Sequence, residues 1–140
     1  MAGKYLVRSG LAIMAILAAG VALYSLRYYG ALVDSWLDVD PKIRAVVEHV
    51  PIQALTHMLI APLALLLGPF QFFPGLRAKY PQAHRCSGRV YVAACVVAGT
   101  GGLATSLDAS GGPVAGLGFG ILAVLWLGTT LGAWRAFIAC

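Results

Sequence analysis

Four apolar stretches, each close to twenty residues long, constrain this chain more than any other feature: about 9–30, 51–73, 88–107 and 114–137. A helix rises about 1.5 Å per residue, so roughly twenty residues cross a hydrocarbon core of about 30 Å. Inside that core every backbone N–H and C=O needs a partner, and a helix finds them all within its own segment. The expected fold is therefore all-α: residues 1–140 form a single transmembrane domain, an integral membrane four-helix bundle. Composition excludes the soluble alternative. Hydrophobic residues make up 60% of the chain and charged residues 11%, against about 25% charged in a soluble domain.

The polar residues punctuate these stretches. Lys4 and Arg8 precede the first, and Arg27-Tyr28-Tyr29 closes it with side chains suited to a membrane interface. A cleaved signal peptide ending near Ala18-Ala19-Gly20 is the rival reading. The apolar run continues to Leu26, past the roughly 7 to 15 residues of a signal's apolar region, so retention as a span is expected. Residues 31–50 hold four of the five acids, and Leu32, Trp36, Leu37, Ile43 and Val47 are spaced for short interfacial helices broken at Asp40-Pro41. Pro51 suits the first turn of the second span. Pro62, in its interior, removes the bond to the Met58 carbonyl and predicts a kink. Phe73-Pro74-Gly75 ends that span.

From Leu76 to Arg89 the chain reads as a loop carrying Arg77, Lys79, Arg85 and Arg89 with no acid. The positive-inside rule makes this side cytoplasmic, and an even number of spans then puts both termini there. Ser87 is a candidate N-cap for the third span. Ala94, Ala98 and Gly102 place small residues at four-residue spacing, where another helix should approach closely. Asp108 to Pro113 reads as a tight turn that makes spans three and four antiparallel neighbours. The fourth span carries two GxxxG spacings, Gly116/Gly120 and Gly128/Gly132, as candidate helix interfaces.

Ten basic residues against five acidic ones do not argue for nucleic acid, because the basic residues sit at the ends of apolar runs and form no soluble basic face. Cys86, Cys95 and Cys140 are odd in number and lack CxxC spacing, which speaks against a disulfide framework or a zinc site. No HExxH, nucleophile elbow or phosphate-cradling loop is present. No catalytic residue and no metal site is assigned.

Two polar groupings stand out. His57 shares a helical face with His49, Gln53 and Thr56 if the helix runs through all four, and at matching depth it would meet Thr100 to Gly102, Gly118 and Phe119, and Tyr24 and Ser25. An ionisable residue within a span is a functional candidate for a haem b, quinone or proton site. The plainer reading is a neutral imidazole bonded to a hydroxyl or a kink carbonyl. Haem held by two histidines needs facing imidazoles, which His49 and His57 on one helix would not supply. A quinone needs only a polar partner and an apolar slot. The second grouping, Arg77, Lys79, His84, Arg85 and Arg89, would suit an anionic lipid head group or an acidic partner. Its plainer reading is topology alone.

His57, then Gly68-Pro69-Phe70-Gln71-Phe72, then His84-Arg85 with Gly88-Arg89 and Tyr91, resemble the bacterial membrane proteins grouped as domain of unknown function 2306, over roughly residues 50–135. The resemblance implies a bacterial cytoplasmic-membrane location and transfers no activity. Members usually continue with a segment containing a His and a Trp-Met pair, so a function needing a later His would draw it from a partner. The expected function is a non-catalytic accessory or scaffolding subunit of a larger membrane assembly. The alternative is a redox-associated haem- or quinone-binding protein using the pocket around His57.

Overall fold

The computed structural model describes residues 2–33 and 40–138. Its elements in chain order are α1 (Ala2–Val33), α2 (Pro41–His49), α3 (Pro51–Gln71), α4 (Pro74–Lys79), α5 (Pro81–Thr105), a 3-10 turn (Ser106–Asp108) and α6 (Gly112–Ile138). No strand occurs among the described residues. Four segments, Val7–Tyr29, Pro51–Gln71, Pro81–Asp108 and Gly112–Arg135, are long and apolar enough to cross a membrane. Trp36, Leu37 and Cys140 lie outside the described residues.

Proline sets most of the helix starts. α2, α3, α4 and α5 each have proline in the first turn, where a missing N–H costs nothing and φ is already helical. Asp40 caps α2, its side chain accepting the Lys42 amide at 2.8 Å, so the expected break at Asp40-Pro41 is present. The same preference moves the start of the third span. The expected loop from Leu76 to Arg89 is largely helical: α4 covers Pro74–Lys79 and α5 begins at Pro81, seven positions before Gly88. Ser87 is therefore not a cap but an interior residue whose hydroxyl donates to the His84 carbonyl. The change to apolar residues at Gly88 marks where the helix meets hydrocarbon, not where it begins. α1 likewise extends toward the N-terminus beyond its apolar portion.

The spans pack in a row: α1 on α3, α3 on α5, and α5 on α6. α5 is the most buried of the four and α6 the least. Glycine makes the central crossing close. A Cβ on Gly101 would stand 2.8 Å from the Gln53 carbonyl oxygen and 3.0 Å from the His57 amide nitrogen, so the two backbones touch there. Ala94 and Ala98 are buried on the same helix, as the small-residue spacing predicts. In lipid there is little hydrophobic drive between helices, and such close contact supplies the dispersion that holds them together.

α1 is tied to α3 by a bond not anticipated from sequence. Tyr29 donates its hydroxyl to the carbonyl of Leu59, the residue next to Met58, whose carbonyl Pro62 deprives of its helical donor. At the other end of the crossing, Gln71 on α3 donates to the Ser87 hydroxyl at 3.3 Å. A Cβ on Gly88 would meet the Gln71 side-chain oxygen at 3.1 Å, and one on Gly68 would meet the Tyr91 ring at 3.4 Å. α6 is joined to α5 through the 3-10 turn and Gly112, whose φ of +77° is the left-handed region that glycine enters freely.

Candidate functional site: a cavity at His57

α3, α5 and α6 together line one cavity. α2 lies along its edge, and its volume is about 780 Å³, within the range of roughly 300 to 1,000 Å³ typical of small-molecule sites. Its walls are largely apolar, with Met58 and Leu65 from α3, Phe119 and Trp126 from α6, and Val46 and Val47 from α2, and Thr105, Ser106 and Ser110 add hydroxyls.

His57 lines this cavity. Its Nδ1 lies 2.9 Å from the carbonyl oxygen of Ala98. A carbonyl only accepts, so Nδ1 carries the proton. The ring sits against Gly102, where a Cβ would be 2.7 Å from Nδ1. Gly102 is thus the space in which the imidazole lies. The bond partner is the backbone of the neighbouring helix, neither the hydroxyl nor the kink carbonyl expected from sequence.

The other residues of the anticipated stripe separate from His57. The chain breaks at Val50, which caps the end of α2 and precedes α3, so His49 and His57 are on different helices. His49 Nε2 stands 3.4 Å from the Asp108 carboxylate and bridges the end of α2 to the α5–α6 turn. Gln53 and Thr56 lie at the helix crossing against Gly101 and are not part of the cavity wall. Tyr24 and Ser25 are also outside it. α1 packs on α3, and Ser25 donates to its own helix at Val21. Phe119 and Gly102 do line it.

The family comparison bears on these same helices. A family model described as predicted membrane protein (DUF2306) matches residues 54–139. The chain belongs to this family. No curated protein and no solved structure matches it. The residues that carry the family pattern have a visible structural use here: Gly68 receives Tyr91, and Gln71 meets Ser87 and Gly88. They clasp α3 to α5 at the end remote from His57.

The basic grouping surrounds that clasp. Arg77 and Lys79 are on α4, and His84, Arg85 and Arg89 are in the first turns of α5. All four cations are exposed. Nδ1 of His84 is buried without a hydrogen-bond partner among the described residues. His84 and His57 therefore sit at opposite ends of the α3–α5 pair. Two imidazoles facing one another across a haem are not formed by the described residues, and no cluster of three metal-ligating side chains occurs among them.

The glycines of α6 divide into two groups. A Cβ on Gly116 would be 2.8 Å from the Ser106 carbonyl oxygen, and one on Gly120 would be 3.3 Å from the Ser106 hydroxyl. These two glycines pack inside the chain. Gly128 and Gly132 have nothing within 4 Å of a Cβ.

Sequence reasoning missed Cys95, Thr105, Ser106 and Trp126 as cavity residues. Cys95 is fully buried and packs with Ala64 and Ala94 in the core between α3 and α5. A tryptophan at the middle of an apolar span, away from either interface, was the available signal, because its N–H needs a partner in hydrocarbon.

Proposed function

We propose that this protein binds a lipid-soluble small molecule of the quinone class in the cavity at His57, within the bacterial cytoplasmic membrane. The observation that carries the reading is an oriented imidazole on the wall of a largely apolar cavity. Its dimensions suit one ring with part of an isoprenoid tail, and Phe119 and Trp126 offer aromatic surface for the ring. Haem b is the weaker alternative, because His57 has no facing histidine among the described residues. The test is organic extraction of protein purified from native membranes, with mass analysis of the extract. A prenylated quinone near one per chain is expected from the parent and a several-fold loss from Ala123→Phe, which fills the cavity from α6. An extract without stoichiometric ring compound would end this reading.

A second reading, an accessory subunit of a membrane assembly, is favoured by one specific observation. Among the spans α6 packs mainly on α5, and it presents Gly128 and Gly132 with open space before them. A partner helix would seat there. Gly128→Leu or Gly132→Leu should then release a co-purifying membrane protein without lowering yield. Unchanged co-purification would remove the support.

A further inference from the structure

Between Glu48 and Asp108 the chain carries no acid, and the Lys and Arg side chains of that stretch, Arg77, Lys79, Arg85 and Arg89, all stand at one end of the α3–α5 pair. They are exposed, and none pairs with a carboxylate among the described residues. α4 packs on α5, which keeps these cations at one end of the molecule. Lys79 Nζ lies 5.3 Å from the centre of the Tyr80 ring. Arg85 and Arg89, one helical turn apart on α5, share a face.

Their depth says what they meet. α4 joins the ends of two spans, so it lies where the chain leaves hydrocarbon. Phe72, Phe73 and Tyr80, which flank it, are exposed, and aromatic rings at a span end suit the head-group level. α5 turns apolar at Gly88, so Arg85 stands three positions before that boundary and Arg89 one position beyond it. Helical side chains lean toward the N-terminus of their helix. On α5 that is the interface end, so both guanidinium groups are carried outward to the phosphate layer, their stems along apolar surface. A soluble acidic protein would have to enter the head-group layer to reach Arg89. The lipids of that leaflet are already there.

We propose that this end of the molecule binds the head-group phosphate of an anionic glycerophospholipid, with Arg85 and Arg89 as its donors and Arg77 and Lys79 adding positive field. A guanidinium offers paired N–H groups that match phosphate oxygens. A zwitterionic head group also brings a phosphate, but its own ammonium is repelled by the same cations. A net negative head group is therefore selected. This surface is remote from the His57 cavity and does not rest on the ligand proposed there.

The experiment is native mass spectrometry of the purified full chain in a neutral detergent, titrated separately with dioleoylphosphatidylglycerol and dioleoylphosphatidylcholine, which share their acyl chains. Membrane insertion plays no part in a micelle, so cations that serve topology alone would hold the two lipids equally. Phosphatidylglycerol should bind about ten-fold more tightly, each engaged cation contributing a few-fold. Arg85→Gln combined with Arg89→Gln should cut that preference to about two-fold. Lys42→Gln combined with Arg44→Gln, the same charge change on α2, should leave it intact. Excess glycerol phosphate, which carries the anion without the chains, should not displace the lipid. The comparison of the two lipids needs no variant, so it stands even if a substitution fails to fold. Equal binding of the two overturns the proposal in favour of topology alone or an acidic protein partner. An undiminished preference in the folded Arg85/Arg89 variant overturns the assignment to α5, and displacement by glycerol phosphate overturns the lipid as occupant.

Discussion

A Cβ placed on Gly102 would lie 2.7 Å from Nδ1 of His57 and 3.0 Å from its Cε1. The glycine and the imidazole occupy one volume, so the orientation of the ring depends on the absence of a side chain on the facing helix. Gly102→Ala should push the ring off Ala98 and cost about 1 to 3 kcal/mol through overpacking and the lost bond. The opposing gain in helix propensity is at most about 1 kcal/mol. Thermal unfolding in detergent checks this, with Gly118→Ala as the control. Nothing lies within 4 Å of a Cβ there, so that variant should be neutral or slightly stabilised.

Substitution of His57 itself should be mild for the fold. Ala98 lies inside α5, and its carbonyl also accepts a helical amide four residues on. His57→Leu therefore strands no buried acceptor, and its cost should stay near the net value of one hydrogen bond, about 0.5 to 1.5 kcal/mol. His57→Gln should cost less. A melting temperature for His57→Leu lowered as far as that of Gly102→Ala would show that the imidazole is a principal packing element.

Tyr29 and Leu59 make the bond that fastens α1 to α3. Tyr29→Phe keeps the ring and removes only the hydroxyl. Stability should fall by about 0.5 to 1.5 kcal/mol, and limited proteolysis should accelerate in α1 before α5. Uniform loss of protection across the spans would contradict that placement.

The charge distribution predicts an orientation. Lys4, Arg8, Arg77, Lys79, Arg85, Arg89 and Arg135 share one side under the expected topology, and all five acids fall on the other with Arg27, Lys42 and Arg44. Reporter fusions after Lys4, Asp40, Lys79, Asp108 and Cys140 should read inside, outside, inside, outside, inside. An outside signal at Lys79 would reverse the assignment.

The clasp at the basic end separates what family pattern and site chemistry each encode. Gln71 and Ser87 are joined at 3.3 Å, and Gly68 and Gly88 leave room for Tyr91 and Gln71. In the sequence these residues read as a motif beside a basic segment. In the structure they are a helix contact, and Arg77, Lys79, Arg85 and Arg89 beside it are exposed. The motif was legible, but its use was not, because helical pairing across 16 positions leaves no local periodicity to read.

By itself the sequence determined the number of spans, the interruption at Asp40-Pro41, the close-packing face of Ala94, Ala98 and Gly102, and the placement of His57 as a polar group in an apolar helix. Each follows from transfer free energy or backbone chemistry, which act residue by residue along the chain. Only the tertiary structure decided that His49 turns to Asp108 while His57 meets Ala98, that Gly116 and Gly120 pack inward while Gly128 and Gly132 stay open, and that Trp126 and Ser106 share a cavity with His57. In a bilayer every apolar face is equally content against lipid. The neighbour of each helix is then set by contacts a few tenths of an ångström better than the alternatives, and that difference exists only between surfaces already brought together.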